Sequence, residues 1–174
     1  MKKKRLLIIP ARAGSKRIKN KNIKLFFEKP MIHYPLKTAI ASKIFDKIHV
    51  STDSKKIKKI VEKIGNFTDF QRPKNLSNDN SSLISVLNHV LDKYESKGLE
   101  FDEVWSILPC SPLLTKEDIW ACKKLINKYN QPIIAISPFP APISWGFQLK
   151  NKTIFKANEK KIRDKKLSKA VSYY

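Results

Sequence analysis

Apolar and polar positions alternate along this chain in two rhythms. Residues 5–10 (RLLIIP) form a short unbroken apolar run, the pattern of a strand buried on both faces. Over 31–42 the period changes to that of a helix, with Ile32, Leu36, Ala39 and Ile40 on one side. Residues 47–51 (KIHVS) read as a second strand. Asp53 or Ser54 is placed to cap the next helix, whose stripe is Ile57, Ile60, Val61 and Ile64, and Gly65 stands at its expected C-cap. A short edge strand is expected at 67–70, then a polar loop at 71–82. A helix follows over 83–94 with Leu83, Val86, Leu87, Val90 and Leu91 in register. Residues 103–108 (EVWSIL) read as a third core strand, Thr115 as the cap of a helix over 116–128, and 132–137 (PIIAIS) as a further strand.

Strands alternating with helices predict a mainly parallel, Rossmann-like α/β sheet with flanking helices. In such sheets ligands bind outside the carboxyl ends of the strands. The candidate loops are therefore 11–22, 51–53, 71–82, 109–115 and 138–146. No internal repeat stands out, and 151–174 is polar and lysine-rich.

Length and composition narrow this picture. The 174 residues, 41% of them hydrophobic, suit one domain with a real core. The formal charge of +21 has two readings. One is a polyanionic partner: nucleic acid, nucleotide or phosphosugar. The other is a composition bias, since lysine far outnumbers arginine and much of it is scattered, as in KKIKK (55–59). Arginine is the better fork for phosphate and base edges, so solvated surface accounts for most of this charge. Cys110 and Cys122 lack metal-like spacing and are expected as reduced thiols. The apolar run 6–9 is too short for a signal peptide, and no stretch reaches transmembrane length. A cytoplasmic protein without a membrane partner is expected.

One loop concentrates charge where a ligand is expected. "IIPARAGSKRIKNKN" (8–22) leaves a buried strand and carries five basic residues, one glycine and one serine. Gly14 gives the backbone freedom to turn, backbone N–H groups there can form an anion nest, and Ser15, Arg12, Lys16 and Lys21 supply a hydroxyl and fixed charge. The set suits a triphosphate whose leaving group gains charge during reaction. It is not a Walker A loop, because no second glycine precedes the lysine, and it lacks the dinucleotide G-x-G-x-x-G pattern.

With "VSTD" (50–53), "RPKNLSNDNSS" (72–82) and "LPCSPLL" (108–114), this loop resembles, in order, the motifs of the CMP-sugar-acid synthetases (acylneuraminate cytidylyltransferases). The resemblance spans nearly the whole chain. "SPFPAPISWGF" (137–147) is most similar to the branch that acts on pseudaminic acid. The resemblance implies a nucleotide-diphospho-sugar-transferase-like fold and a dimer. It also implies a reaction in which the anomeric hydroxyl of a 2-keto sugar acid attacks the α-phosphorus of CTP with magnesium assistance. By position, Arg12, Gly14, Ser15, Lys16 and Lys21 match the triphosphate loop, Asn22 the nucleotide-contacting asparagine, and Arg72 the arginine of the R-P motif. Ser81 and Ser82 fall beside the nucleoside. Arg12 and Lys21 are the expected catalytic residues, as stabilisers of the leaving pyrophosphate. His33, His49 and His89 read as structural, and Asp53, Asp79 and Asp102 as cap, turn and surface residues.

Two departures bear on the sugar. Leu108 precedes Pro109 where the sialic acid branch has glutamine, and Leu114 stands where that branch has arginine. Both count against N-acylneuraminate as the substrate; synthetases for N-acylneuraminate, legionaminate or 3-deoxy-manno-octulosonate are the close alternatives to one for pseudaminic acid. The family's metal-carrying D-x-D motif is expected beyond Tyr174. The chain is therefore expected to be one C-terminally truncated cytidylyltransferase domain without protein ligands for magnesium. A basic nucleic-acid-binding module and an inactive CTP-binding fragment are the readings from other classes.

Overall fold

The structure is a computed structural model that describes residues 3–15 and 17–136, together with the backbone of two strands at 147–150 and 153–156. The chain forms two compact units, Met1–Gln131 and Pro132–Tyr174.

In the first unit a three-stranded parallel sheet has the order β4-β1-β5, with β1 (Arg5–Pro10) in the centre, β4 (Lys47–Ser51) on one side and β5 (Glu103–Ser106) on the other. Ile8 stands opposite His49 on β4 and Ser106 on β5. Successive β1 side chains point to opposite faces. Leu7 and Ile9, with Ala11 just beyond, join Val50 under α1 (His33–Ser42) and α2 (Lys55–Glu62), through Leu36, Ala39, Ile57 and Val61. Leu6 and Ile8 pack on the other face against Val90 and Tyr94 of α3 (Leu83–Glu95). Helices on both faces explain why β1 is an unbroken apolar run. The expected α/β fold is the one observed.

Helix starts follow the sequence. Ser54 accepts from the Ile57 N–H at 3.3 Å, and Ser82 from the Ser85 N–H at 3.0 Å. Thr115 and Asp118 form a reciprocal capping box at the start of α4 (Lys116–Tyr129).

Several expectations change. Ile40 is exposed on α1. α2 ends at Lys63 in a right-handed conformation, and Gly65 is not left-handed. Glycine is needed there for space, since a Cβ would lie 2.7 Å from the Phe67 ring. Segment 67–70 lies beside β4, with the Val50 N–H donating to the Phe67 carbonyl at 2.6 Å, but it does not form a strand. β5 alternates half-buried and exposed positions, Val104 among the latter, because only one of its edges is paired among the described residues. Residues 132–136 are not a strand: Ile134 and Ile136 are exposed and no ladder holds them. Ser137 lies outside the described residues.

Two hairpins were not foreseen. β2 (Leu25–Phe26) pairs with β3 (Lys29–Pro30), and in the second unit β6 (Phe147–Lys150) pairs with β7 (Thr153–Lys156). The first turns through Phe27 (φ 41°) and Glu28 (φ 64°), both left-handed, without the Asn-Gly signal such turns prefer.

The histidines read as structural include one with a measurable consequence. His49 is fully buried on β4, stacked on Phe70. The Tyr94 hydroxyl donates to Asp69 at 3.0 Å, leaving its oxygen to accept from the His49 Nδ1–H at 3.1 Å. His49 Nε2 has no partner. Burial lowers the imidazole pKa to about 4, outweighing the opposing Asp69 charge. An unfolded histidine titrates near 6.5. Between these values the unfolded chain binds a proton that the folded chain does not, so stability falls as pH drops from about 6.5 to about 4. Urea denaturation should show this loss, up to about 3 kcal/mol. In His49→Leu the slope over this window should shrink; an unchanged slope would assign the loss to other groups.

Candidate active site

The basic loop leaves the carboxyl end of β1 and is held at its neck. The Ala11 N–H donates to the Ser51 carbonyl at 2.8 Å, which continues the β1–β4 ladder by one residue. Buried Asn22, in a short 3-10 turn over Lys21–Ile23, donates from Nδ2 to the Arg12 carbonyl at 2.9 Å. Its Oδ1 accepts from the Cys110 thiol at 3.3 Å. One asparagine thus joins the loop after β1 to the loop after β5. Burial pushes the Cys110 thiol above its usual range, opposed by the positive charge of Lys21 nearby. Lys21 and Cys110 are therefore neighbours, although far apart in sequence.

Asp53 holds the other side of the loop: its Oδ1 accepts from the Ala13 N–H at 2.9 Å. The Ser15 N–H turns back to the Ala13 carbonyl at 2.9 Å. Two amides that an anion nest would use thus have protein partners. Gly14 has no left-handed φ and open space around it, so a Cβ would meet nothing within 4 Å. The expected need for glycine at this position does not arise in this conformation. Lys16 lies outside the described residues.

Behind the loop stands Arg72. It is 4% exposed, and its guanidinium donates to Ser51 Oγ at 3.0 Å and to the Ser51 carbonyl at 2.6 Å. Its own N–H donates to the Thr52 carbonyl at 2.9 Å. Burial lowers its pKa to about 10, with Asp53 opposing and the Arg12 charge adding to the shift. Arg72 is thus a buried clamp on the end of β4 as well as a neighbour of Arg12.

Arg12, Arg72, Ser81 and Ser82 line one cavity of about 230 Å³, with Asp79 and Leu83. The two serines are also used locally. Ser82 caps α3, and the Ser81 hydroxyl donates to the Asn75 carbonyl at 3.0 Å. The Arg12 guanidinium donates to Asp79 Oδ1 at 2.7 Å, bridging loop 11–22 to loop 71–82. Gly14, Ser15, Lys21 and Asn22 do not line this cavity.

Sequence reasoning underrated Asp53 and Asp79. Ser54, not Asp53, caps α2, and Asp53 instead holds the basic loop. Asp79 pairs with a cation 67 positions away. The available signal was a lone carboxylate in each of two strand-end loops facing a cationic third. Asp102, read as a surface residue, accepts from the Lys4 N–H at 2.6 Å. No group of three or more His, Cys, Asp or Glu able to hold a metal occurs among the described residues. Asp53 and Asp79 stand singly, one on the Ala13 N–H and the other on Arg12, so these residues do not fit a magnesium site.

Cationic loop, buried arginine clamp, the helix-capping Ser82 and its neighbour Ser81 meet beyond the carboxyl ends of parallel strands, the place where α/β proteins bind ligands. The fold and the place of the site therefore define an α/β protein with a cationic site at its strand ends. The chain belongs to the Cytidylyltransferase family, whose model matches residues 6–166. A pseudaminic acid cytidylyltransferase of Campylobacter jejuni is 37% identical over 171 residues, 96% of this chain and 74% of that protein. A CMP-N,N'-diacetyllegionaminic acid synthase of Legionella pneumophila is 33% identical over 140 residues, 80% of this chain and 60% of that protein. Among solved structures, a CMP:2-keto-3-deoxy-manno-octonic acid synthetase complexed with CTP superposes with a TM-score of 0.61 at 23% identity. It covers 73% of this chain and 48% of that one, and supports the fold.

Proposed function

We propose that this chain binds CTP and transfers its CMP moiety to the anomeric hydroxyl of an acidic nonulosonic sugar, pseudaminic acid in first place, with release of pyrophosphate. The observation that carries this reading is the meeting of Arg12, Arg72, Ser81 and Ser82 around one cavity, beside the loop that holds Lys21. The Campylobacter relative supports the choice of sugar. The Legionella relative keeps a legionaminate-type acid as the second reading.

In the transfer, the sugar oxygen forms a bond to the α-phosphorus, the bond to the pyrophosphate oxygen breaks, and the hydroxyl proton passes to solvent water. Little covalent chemistry falls to the protein, so positioning and charge neutralisation dominate. Arg12 and Lys21 offset the charge that grows on the leaving pyrophosphate. Asn22 fixes the loop that carries both. Gly14, Ser15 and Lys16 complete the triphosphate loop by position, and Arg72, Ser81 and Ser82 wall the nucleoside side. Magnesium, which the family's reaction uses, belongs to this reading, as do a homodimer and a cytoplasmic location. No helix among the described residues is long and apolar enough to cross a membrane.

The loops at 12–15 and 81–82 are short and polar, so their backbone groups suit the edge of a small pyrimidine better than a purine. At about 100 times its Kd, CTP should stabilise the fold by about 2.7 kcal/mol, a rise of roughly 5–10 °C in Tm. ATP at the same concentration should do much less. Equal shifts by the two nucleotides would defeat the reading. A long oligonucleotide that stabilises the protein with a steep salt dependence would instead favour a nucleic-acid binder.

A further inference from the structure

We propose that Asp79 is an internal competitor for the phosphate chain: in the empty site its carboxylate occupies Arg12, and a bound polyphosphate displaces it. Three observations carry this. First, Arg12 stands close enough to buried Arg72 to depress its basicity, so two guanidinium groups face one small cavity. Two cations at one cavity attract anions: Asp53 offsets part of the charge on Arg72, and Asp79 meets Arg12 at 2.7 Å.

Second, neither loop depends on the pair for its shape. The backbone around Arg12 is fixed by Asn22 and by Asp53. The turn carrying Asp79 is built by Asn78, whose Oδ1 accepts from the Asn80 and Ser81 N–H groups at 2.9 and 3.0 Å and whose Nδ2 donates to the Asn75 carbonyl at 2.8 Å. Third, the Arg12 and Asp79 side chains are 34% and 32% exposed, so separating them strands no buried charge. Such a pair is easily exchanged, unlike the Arg72 clamp.

The consequence is a sign. Removing the Asp79 charge should tighten polyphosphate binding, whereas losing a residue that positions Arg12 should weaken it. The proposal rests on the reading of Arg12 as a phosphate ligand, and its test uses inorganic triphosphate so that the two can fail separately. Affinity is measured by calorimetry at fixed ionic strength for the wild type, Asp79→Asn, Asp79→Ser and Asp79→Glu. Arg12→Gln and the double variant Arg12→Gln/Asp79→Asn complete the set, with a melting curve for each.

Both neutral variants are expected to bind triphosphate about three- to fivefold more tightly, the worth of one partly exposed ion pair. Asp79→Glu should stay near the wild type. In the Arg12→Gln background, Asp79→Asn should change nothing. Weaker or unchanged binding in both neutral variants would overturn the proposal, as would absence of triphosphate binding in every variant. The same tightening without Arg12 would also overturn it, because simple repulsion would then be the cause. If triphosphate follows the expected pattern while CTP shows no preference over ATP, the competitor stands and the cytidylyltransferase reading falls.

Discussion

Replacing Lys21 or Arg12 by alanine is expected to lower the rate of cytidylyl transfer by roughly 10²–10³-fold, or about 2.7–4 kcal/mol of barrier, with the fold intact. The reasoning is electrostatic. Pyrophosphate departs with more charge on its bridging oxygen than it carried in bound CTP, so a cation fixed nearby stabilises the transition state more than the ground state. Both residues stand in a loop whose backbone is held by other groups, Asn22 Nδ2 on the Arg12 carbonyl and Asp53 on the Ala13 N–H. Neither alanine removes a core contact, because Arg12 is a third exposed and Lys21 is only half-buried. Steady-state rates of pyrophosphate release, measured beside thermal melts, check this. Rates near wild type in both variants would remove the two residues from the reaction. Arg12→Lys should recover part of the loss at most, since a compact ammonium lacks the planar fork.

The second large effect concerns stability. Arg72→Ala is expected to destabilise the protein by about 3–5 kcal/mol, because two buried hydrogen bonds from a charged donor are lost, one to Ser51 Oγ and one to the Ser51 carbonyl, which keeps only the Ala11 N–H. Arg72 closes the end of β4: its side chain holds Ser51 and its backbone holds Thr52, while Asp53 reaches across to the basic loop. Loss of the clamp should therefore loosen the loop after β4 and, through Asp53, the basic loop itself. The urea midpoint should drop, and any residual activity should fall with it. Arg72→Lys should not rescue, as one ammonium cannot reproduce the paired contacts to Ser51 Oγ and the Ser51 carbonyl. An unshifted midpoint for Arg72→Ala, with weaker CTP binding alone, would show that Arg72 acts only as a ligand contact.

Local chemistry determined much of this protein. The apolar run of β1, the positions of α1 and α3, and the caps at Ser54 and Thr115 require only short-range patterning and appear where the sequence places them, although Ile40 and Leu83, read into the buried stripes, are exposed. The alternation of elements implied the parallel sheet, and the basic loop at the end of β1 was legible because its charge and its position coincide.

Other features were not readable locally. Whether 132–136 or 67–70 becomes a strand depends on a partner edge, which no local period encodes. The β2–β3 hairpin turns through Phe27 and Glu28 in conformations their residue types do not advertise. The roles of the carboxylates depended on tertiary structure most of all. Asp79 meets Arg12 across 67 positions, Asp53 meets Ala13 across 40, and Cys110 meets Asn22 across 88. A charge or a hydrogen-bond donor can be read from one residue, but its partner is set only when the sheet brings the strand ends together.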